Sequence, residues 1–155
     1  MSKNLRTFLI LAAVAVVVAV LRYYMKGWVQ PLGVTDFAGS FIASITIFTL
    51  VGLVIIFASN GRAAGGCYWQ AAAWFAAFAF WCQGLIISGI LIAARTGTPT
   101  YYDEMMGKHM SLPPLTHALQ HGIAAAVVAI IGMILGVPVY FIAKRWRPAS
   151  TSPAR

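Results

Sequence analysis

Residues 122–143 read GIAAAVVAIIGMILGVPVYFIA, an uncharged run that stops at Lys144-Arg145. A helix needs about 20 consecutive apolar residues to cross the hydrocarbon core of a bilayer. Water does not reach that depth, so the backbone must satisfy its own hydrogen bonds, and a single apolar run does so as an α-helix. This stretch therefore predicts a membrane-spanning helix. Its polar extension predicts a start near Pro113-Pro114, because proline suits the first helical turn.

Three further apolar runs precede this one. We predict spans at about 5–25, 40–59, 70–94 and 116–143, followed by a disordered Pro/Ser/Thr-rich tail at 148–155. The first run is short and has a basic start, which also resembles a signal peptide. No polar cleavage region follows it, so we favour an uncleaved helix. The predicted fold class is an all-α integral membrane four-helix bundle.

The composition excludes an ordinary soluble domain. The chain is 61% hydrophobic and only 9% charged, whereas about a quarter of the residues are charged in a typical soluble protein. The net charge of +8 is spread over residues that flank the apolar runs, a distribution that favours lipid headgroups. We therefore expect the lipid bilayer as a partner and no nucleic acid.

The basic side chains also predict an orientation. With both termini inside (N-in/C-in), the inner side holds seven of them and the outer side four. An excess of basic residues marks the cytoplasmic side of a membrane protein, and we expect a multi-pass protein of the bacterial inner membrane. The inner residues are Lys3, Arg6, Arg62, Lys144, Arg145, Arg147 and Arg155, and the outer ones are Arg22, Lys26, Arg95 and Lys108.

Small and polar residues within the spans predict helix contacts. Small side chains let membrane helices approach closely, and we expect the stripe with Gly132 and Gly136 to pack against the third helix. The small pairs that the third helix offers are Ala72/Ala76, Ala73/Ala77, Gly84/Ser88 and Gly89/Ala93. The same residues would also suit a homo-oligomer. Gln83 cannot satisfy its amide within its own helix, so we expect it to bond to another helix rather than to a substrate.

The polar segment from Arg95 to Gly122 predicts a metal site. His117 and His121 lie four residues apart, which places both imidazoles on one helix face, and His109 precedes them. Carboxylates beside histidine favour zinc, and methionines beside histidine favour copper. The alternative is an interfacial helix whose histidines bond to phosphate or backbone while the methionines anchor in lipid. The possible additional ligands are Asp103, Glu104, Met105, Met106 and Met110.

No catalytic constellation stands in the sequence, and Cys67 and Cys82 are too far apart along a helix for a disulfide. The spans carry no ionisable side chain at their predicted centres, which argues against an ion-coupled transporter. We first expect an accessory or anchor subunit of a larger membrane complex. The second hypothesis is a metal-handling or redox component with a copper or zinc ion. The third is passive transport of a small solute by an oligomer.

Overall fold

A computed structural model describes residues 3–33, 35, 38, 44–98, 100–105, 108–109 and 113–146. The predicted tail at 148–155 lies outside these residues, as do the first residues of the predicted span at 40–59. All four long helices are apolar and long enough to cross a membrane. The predicted class, an all-α four-helix membrane bundle, is confirmed, and the chain is a multi-pass membrane protein.

The helices extend a little beyond the predicted spans in most places. A short turn joins the second helix to the third, and a small antiparallel hairpin precedes the last helix, with Glu104 paired to His109. The helices are α1 (Lys3–Val29), α2 (Ile45–Arg62), α3 (Tyr68–Thr96) and α4 (Pro114–Arg145), the 3-10 turns are Gln30–Leu32 and Tyr101–Asp103, and the strands are β1 (Glu104–Met105) and β2 (Lys108–His109).

Local sequence signals set three of the helix ends. Ser44 caps α2, since its Oγ accepts a hydrogen bond from the backbone N–H of Ile47 at 3.3 Å. Gly97 ends α3 in the left-handed conformation with φ of 65°, which glycine adopts without a Cβ clash. Pro114 is the first residue of α4, where the Pro113-Pro114 pair predicts it.

Helix α3 lies at the centre of the arrangement. It contacts the other three helices, and its most extensive contact is with α4. We call the end of the bundle that holds the start of α1 the inner end, and the opposite end the outer end, after the predicted orientation. Because α1 is mostly exposed in the bundle, with 22% of its apolar window buried, it is a peripheral helix packed on α2 and α3.

Aromatic rings packed over glycines form the core of the bundle. Phe75 of α3 lies over Gly132 of α4, and a Cβ at that glycine would overlap the Phe75 ring. Phe57 of α2 covers Gly136 in the same way, and both phenylalanines are fully buried. Leucine gains little by leaving lipid for protein, so this close van der Waals contact is what holds membrane helices together.

Hydrogen bonds from side chains join the helices near the inner end. The Tyr68 hydroxyl donates to the carbonyl of Met133 at 2.6 Å, one turn before Pro138. The Tyr140 hydroxyl donates to the carbonyl of Gly66 at 2.7 Å. The Asn4 amide donates to Oδ1 of Asn60 at 3.1 Å and connects α1 to α2. These bonds fix the short turn between α2 and α3 against α4.

The structure corrects the predicted role of two small residues. Gly84 and Ser88 are exposed, no atom lies within 4 Å of a Cβ built at Gly84, and the Ser88 hydroxyl bonds back to the Gly84 carbonyl at 2.9 Å. The buried face of α3 instead follows Phe75, Cys82 and Ile86. At about 100° per residue, Gly84 and Ser88 lie on the opposite side of the helix, so they do not pack against α4.

Candidate functional site

A buried polar contact joins α3 to α4. Nδ1 of His121 lies 2.8 Å from Oε1 of Gln83, and the Gln83 side chain is only 3% exposed. As predicted, Gln83 bonds to another helix. The sequence pattern does not identify the partner, because His121 belongs to the polar segment that precedes the last apolar run.

His117 completes this site one helical turn before His121. Its side chain is 7% exposed, and the centroids of the two imidazole rings lie 5.1 Å apart with an interplanar angle of 46°. The spacing follows from the helix geometry, since residues four apart share one face. We call His117, His121 and Gln83 the histidine site.

The histidine site lies inside the bundle rather than in an outer loop. Gln83 is 13 residues before Thr96, the end of α3, which corresponds to about 20 Å along the helix axis. His121 therefore contacts the middle of α3. His121 itself is near the start of α4, so the expectation of spans without a central ionisable side chain stays a prediction.

The other predicted ligands lie outside the part of the chain whose side chains the structure describes. Met106 and Met110 lie outside the described residues. Asp103 ends a 3-10 turn, and Glu104, Met105 and His109 belong to the small hairpin, but only their backbone is described. Among the residues that the structure describes, no group of three or more His, Cys, Asp or Glu side chains is placed to hold a metal ion.

A second polar cluster at the outer end was not predicted. The Tyr102 hydroxyl donates to the carbonyl of Ala19 in α1 at 3.0 Å, and its ring lies against Gly89 of α3. The Arg22 guanidinium donates to the carbonyl of Tyr101 at 2.6 Å and lies 5.3 Å from the centre of the Tyr102 ring. The segment after α3 is thereby fixed between α1 and α3.

Burial governs the protonation of Tyr102. Desolvation raises the pKa of Tyr102 to about 12, although the nearby Arg22 charge acts in the opposite direction. The hydroxyl therefore keeps its proton and its hydrogen bond to Ala19 throughout the physiological range. The only sequence sign of this cluster is a pair of tyrosines in a polar segment, a pattern that is equally typical of residues at the membrane interface.

The two clusters differ in the chemistry they offer. The Tyr102 cluster consists of groups that are held in fixed charge states, and it is suited to holding the chain in place. The histidine site presents two imidazoles, which bind protons or metals. No protein-family model matches the chain, and no curated protein or solved structure shows significant similarity to it.

Proposed function

We propose that the chain is a non-catalytic accessory or anchor subunit of a larger assembly in the bacterial inner membrane. One observation supports this proposal above the others, which is the composition of the outward face of α3. Four small residues on that face are exposed within an arc of about 60° at 100° per residue, and the exposed Phe80 and Leu91 share the face. The four small residues are Ala73, Ala77, Gly84 and Ser88.

The outward face of α4 differs from that of α3 in the size of its exposed side chains. It carries large aliphatic side chains, such as Leu119, Ile123 and Ile134, which are 62%, 71% and 65% exposed. Such residues suit contact with lipid tails. Small residues are enriched instead where another helix approaches closely. The outward face of α3 is therefore the surface on which a helix of another subunit is expected to pack.

Photo-crosslinking in native membranes tests this proposal. A photoreactive residue replaces Ser88 on the small-residue face, and the matched control replaces Ile131 on the lipid-facing side of α4, which is 50% exposed. We expect one discrete crosslinked product from position 88 and none from position 131. The substitution Gly84→Leu should abolish that product, because the side chain fills the space that a partner helix needs.

The mass of the product and of the intact complex decides between the alternatives. A heteromeric species in native mass spectrometry supports an accessory subunit. A dimer or higher oligomer of this chain alone contradicts the accessory role. A monomer in several mild detergents, together with equal crosslinking at positions 88 and 131, contradicts any specific assembly through this face.

A further inference from the structure

The histidine site contains two imidazoles that the accessory role does not use. We propose that His117 and His121 bind monovalent copper, Cu(I), inside the outer half of the bundle. This proposal does not rest on the accessory role, and either one can fail without the other.

Gln83 determines which nitrogen of His121 is able to bind a metal. Oε1 of an amide only accepts hydrogen bonds, so with the amide oriented as in the structure Nδ1 of His121 carries the proton of the 2.8 Å bond. In a neutral imidazole Nε2 then holds the lone pair. Histidines that bind metals typically have their other ring nitrogen held by a second group in this manner.

The position of His117 supplies the second nitrogen. Its ring lies 5.1 Å from that of His121 between centroids, close enough for both imidazoles to reach one ion after small side-chain rotations. Both residues belong to the same helix, four residues apart, so the backbone fixes their separation. The His117 side chain is buried at 7% exposure, and His121 is half-buried.

The surroundings favour copper in the monovalent state over zinc. A structural zinc site has four ligands, commonly with thiolates, and the described residues hold no cluster of three or more His, Cys, Asp or Glu. The two neutral imidazoles supply no negative charge, and a divalent cation bound to them alone is costly in an interior of low dielectric constant. Cu(I) carries a single charge, and imidazole is among the ligands that suit copper.

Metal competition on the purified full-length protein tests the site. The protein is extracted in mild detergent, kept anaerobic with ascorbate, and titrated with Cu(I) against the chelator bathocuproine disulfonate. We expect one Cu(I) per chain, with binding at least about 10-fold weaker in His117→Ala and in His121→Ala. Gln83→Leu retains both imidazoles and should weaken binding by about 10- to 100-fold, the usual effect of losing an orienting partner.

Two control variants define the ligand set. Ser88→Ala alters an exposed hydroxyl on the opposite side of α3 and should leave binding unchanged, as should His109→Ala. Loss of binding in His109→Ala would contradict a site made of the two α4 histidines. Equal binding in wild type and in both α4 histidine variants, or binding of Zn(II) in preference to Cu(I), would overturn the proposal.

A measurement on the wild-type chain covers the case in which a variant fails to fold. X-ray absorption of the copper-loaded protein should show two imidazole nitrogens bound to Cu(I) and no sulfur. A sulfur ligand, or an absence of imidazole scattering, would exclude the pair as the site.

Discussion

The inner and outer halves of α4 contact the rest of the bundle by different means. In the inner half, Phe75 and Phe57 lie over Gly132 and Gly136, and tyrosine hydroxyls add hydrogen bonds to backbone carbonyls. In the outer half, His121 bonds to Gln83 at 2.8 Å, and the contact depends on matched polar groups. One helix thus combines close packing, which supplies stability in lipid, with a polar contact that is costly to leave unsatisfied.

The largest effect is expected from breaking the shape contact. Gly132→Leu forces a side chain into the space of the buried Phe75 ring, and overpacking of this kind costs about 1–3 kcal/mol. Reversible unfolding in mixed detergent micelles measures the change. Gly122→Leu is the matched control on the same helix, because no atom lies within 4 Å of a Cβ at Gly122. Equal destabilisation by both substitutions would contradict the packing of Phe75 on Gly132.

A smaller effect is expected from breaking the polar contact. Gln83→Leu removes the acceptor of the His121 N–H, and hydrogen bonds between membrane helices contribute about 0.6 kcal/mol on average and up to about 1.7 kcal/mol. A double-mutant cycle with His121→Phe isolates this interaction. We expect favourable coupling within that range. Additive effects of the two substitutions would show that the side chains do not interact.

The smallest effect on stability is expected at Tyr102, which makes a polar contact that does not involve α4. Tyr102→Phe removes the hydrogen bond to Ala19, and we expect a loss of about 0.5–1.5 kcal/mol at neutral pH. Folding raises the pKa of Tyr102 from 10.0 to about 12, so the unfolded chain releases this proton first. The contribution is complete below pH 10 and is lost as the pH rises toward 12.

Parallel unfolding of wild type and Tyr102→Phe across this range checks the pH dependence. Their difference in free energy of unfolding should shrink as the pH rises above 10. A difference that stays constant up to pH 12 would contradict the burial of the hydroxyl.

The sequence was sufficient to predict the helices, because each apolar run forms its backbone hydrogen bonds within its own helix. The start of α4 at Pro114 follows from proline chemistry. The register between helices, by contrast, is not determined by any single run of residues. Gly132 stands out as a small residue, but which ring covers it depends on how α3 is rotated and shifted, and the same rotation turns Gly84 and Ser88 outward.

The candidate site was predicted only in part for the same reason. The spacing of His117 and His121 was sufficient to place them on one helix face, and the amide of Gln83 was sufficient to predict a bond to another helix. The contact between His121 and Gln83 depends on how far α4 is shifted along α3. The insertion of Tyr102 between α1 and α3 depends on the path of a polar connection, for which hydropathy gives no signal.

The central claim, a chain that crosses the membrane with the turn between α2 and α3 on the cytoplasmic side, can be tested with the native cysteines. Cys67 is exposed at the start of α3, whereas Cys82 is buried. A membrane-impermeant maleimide should label Cys67 in inside-out vesicles and neither cysteine in intact spheroplasts, and Cys67→Ser should remove the signal. Labelling of Cys67 from the outer surface, or of Cys82 in native membranes, would contradict this topology and this bundle.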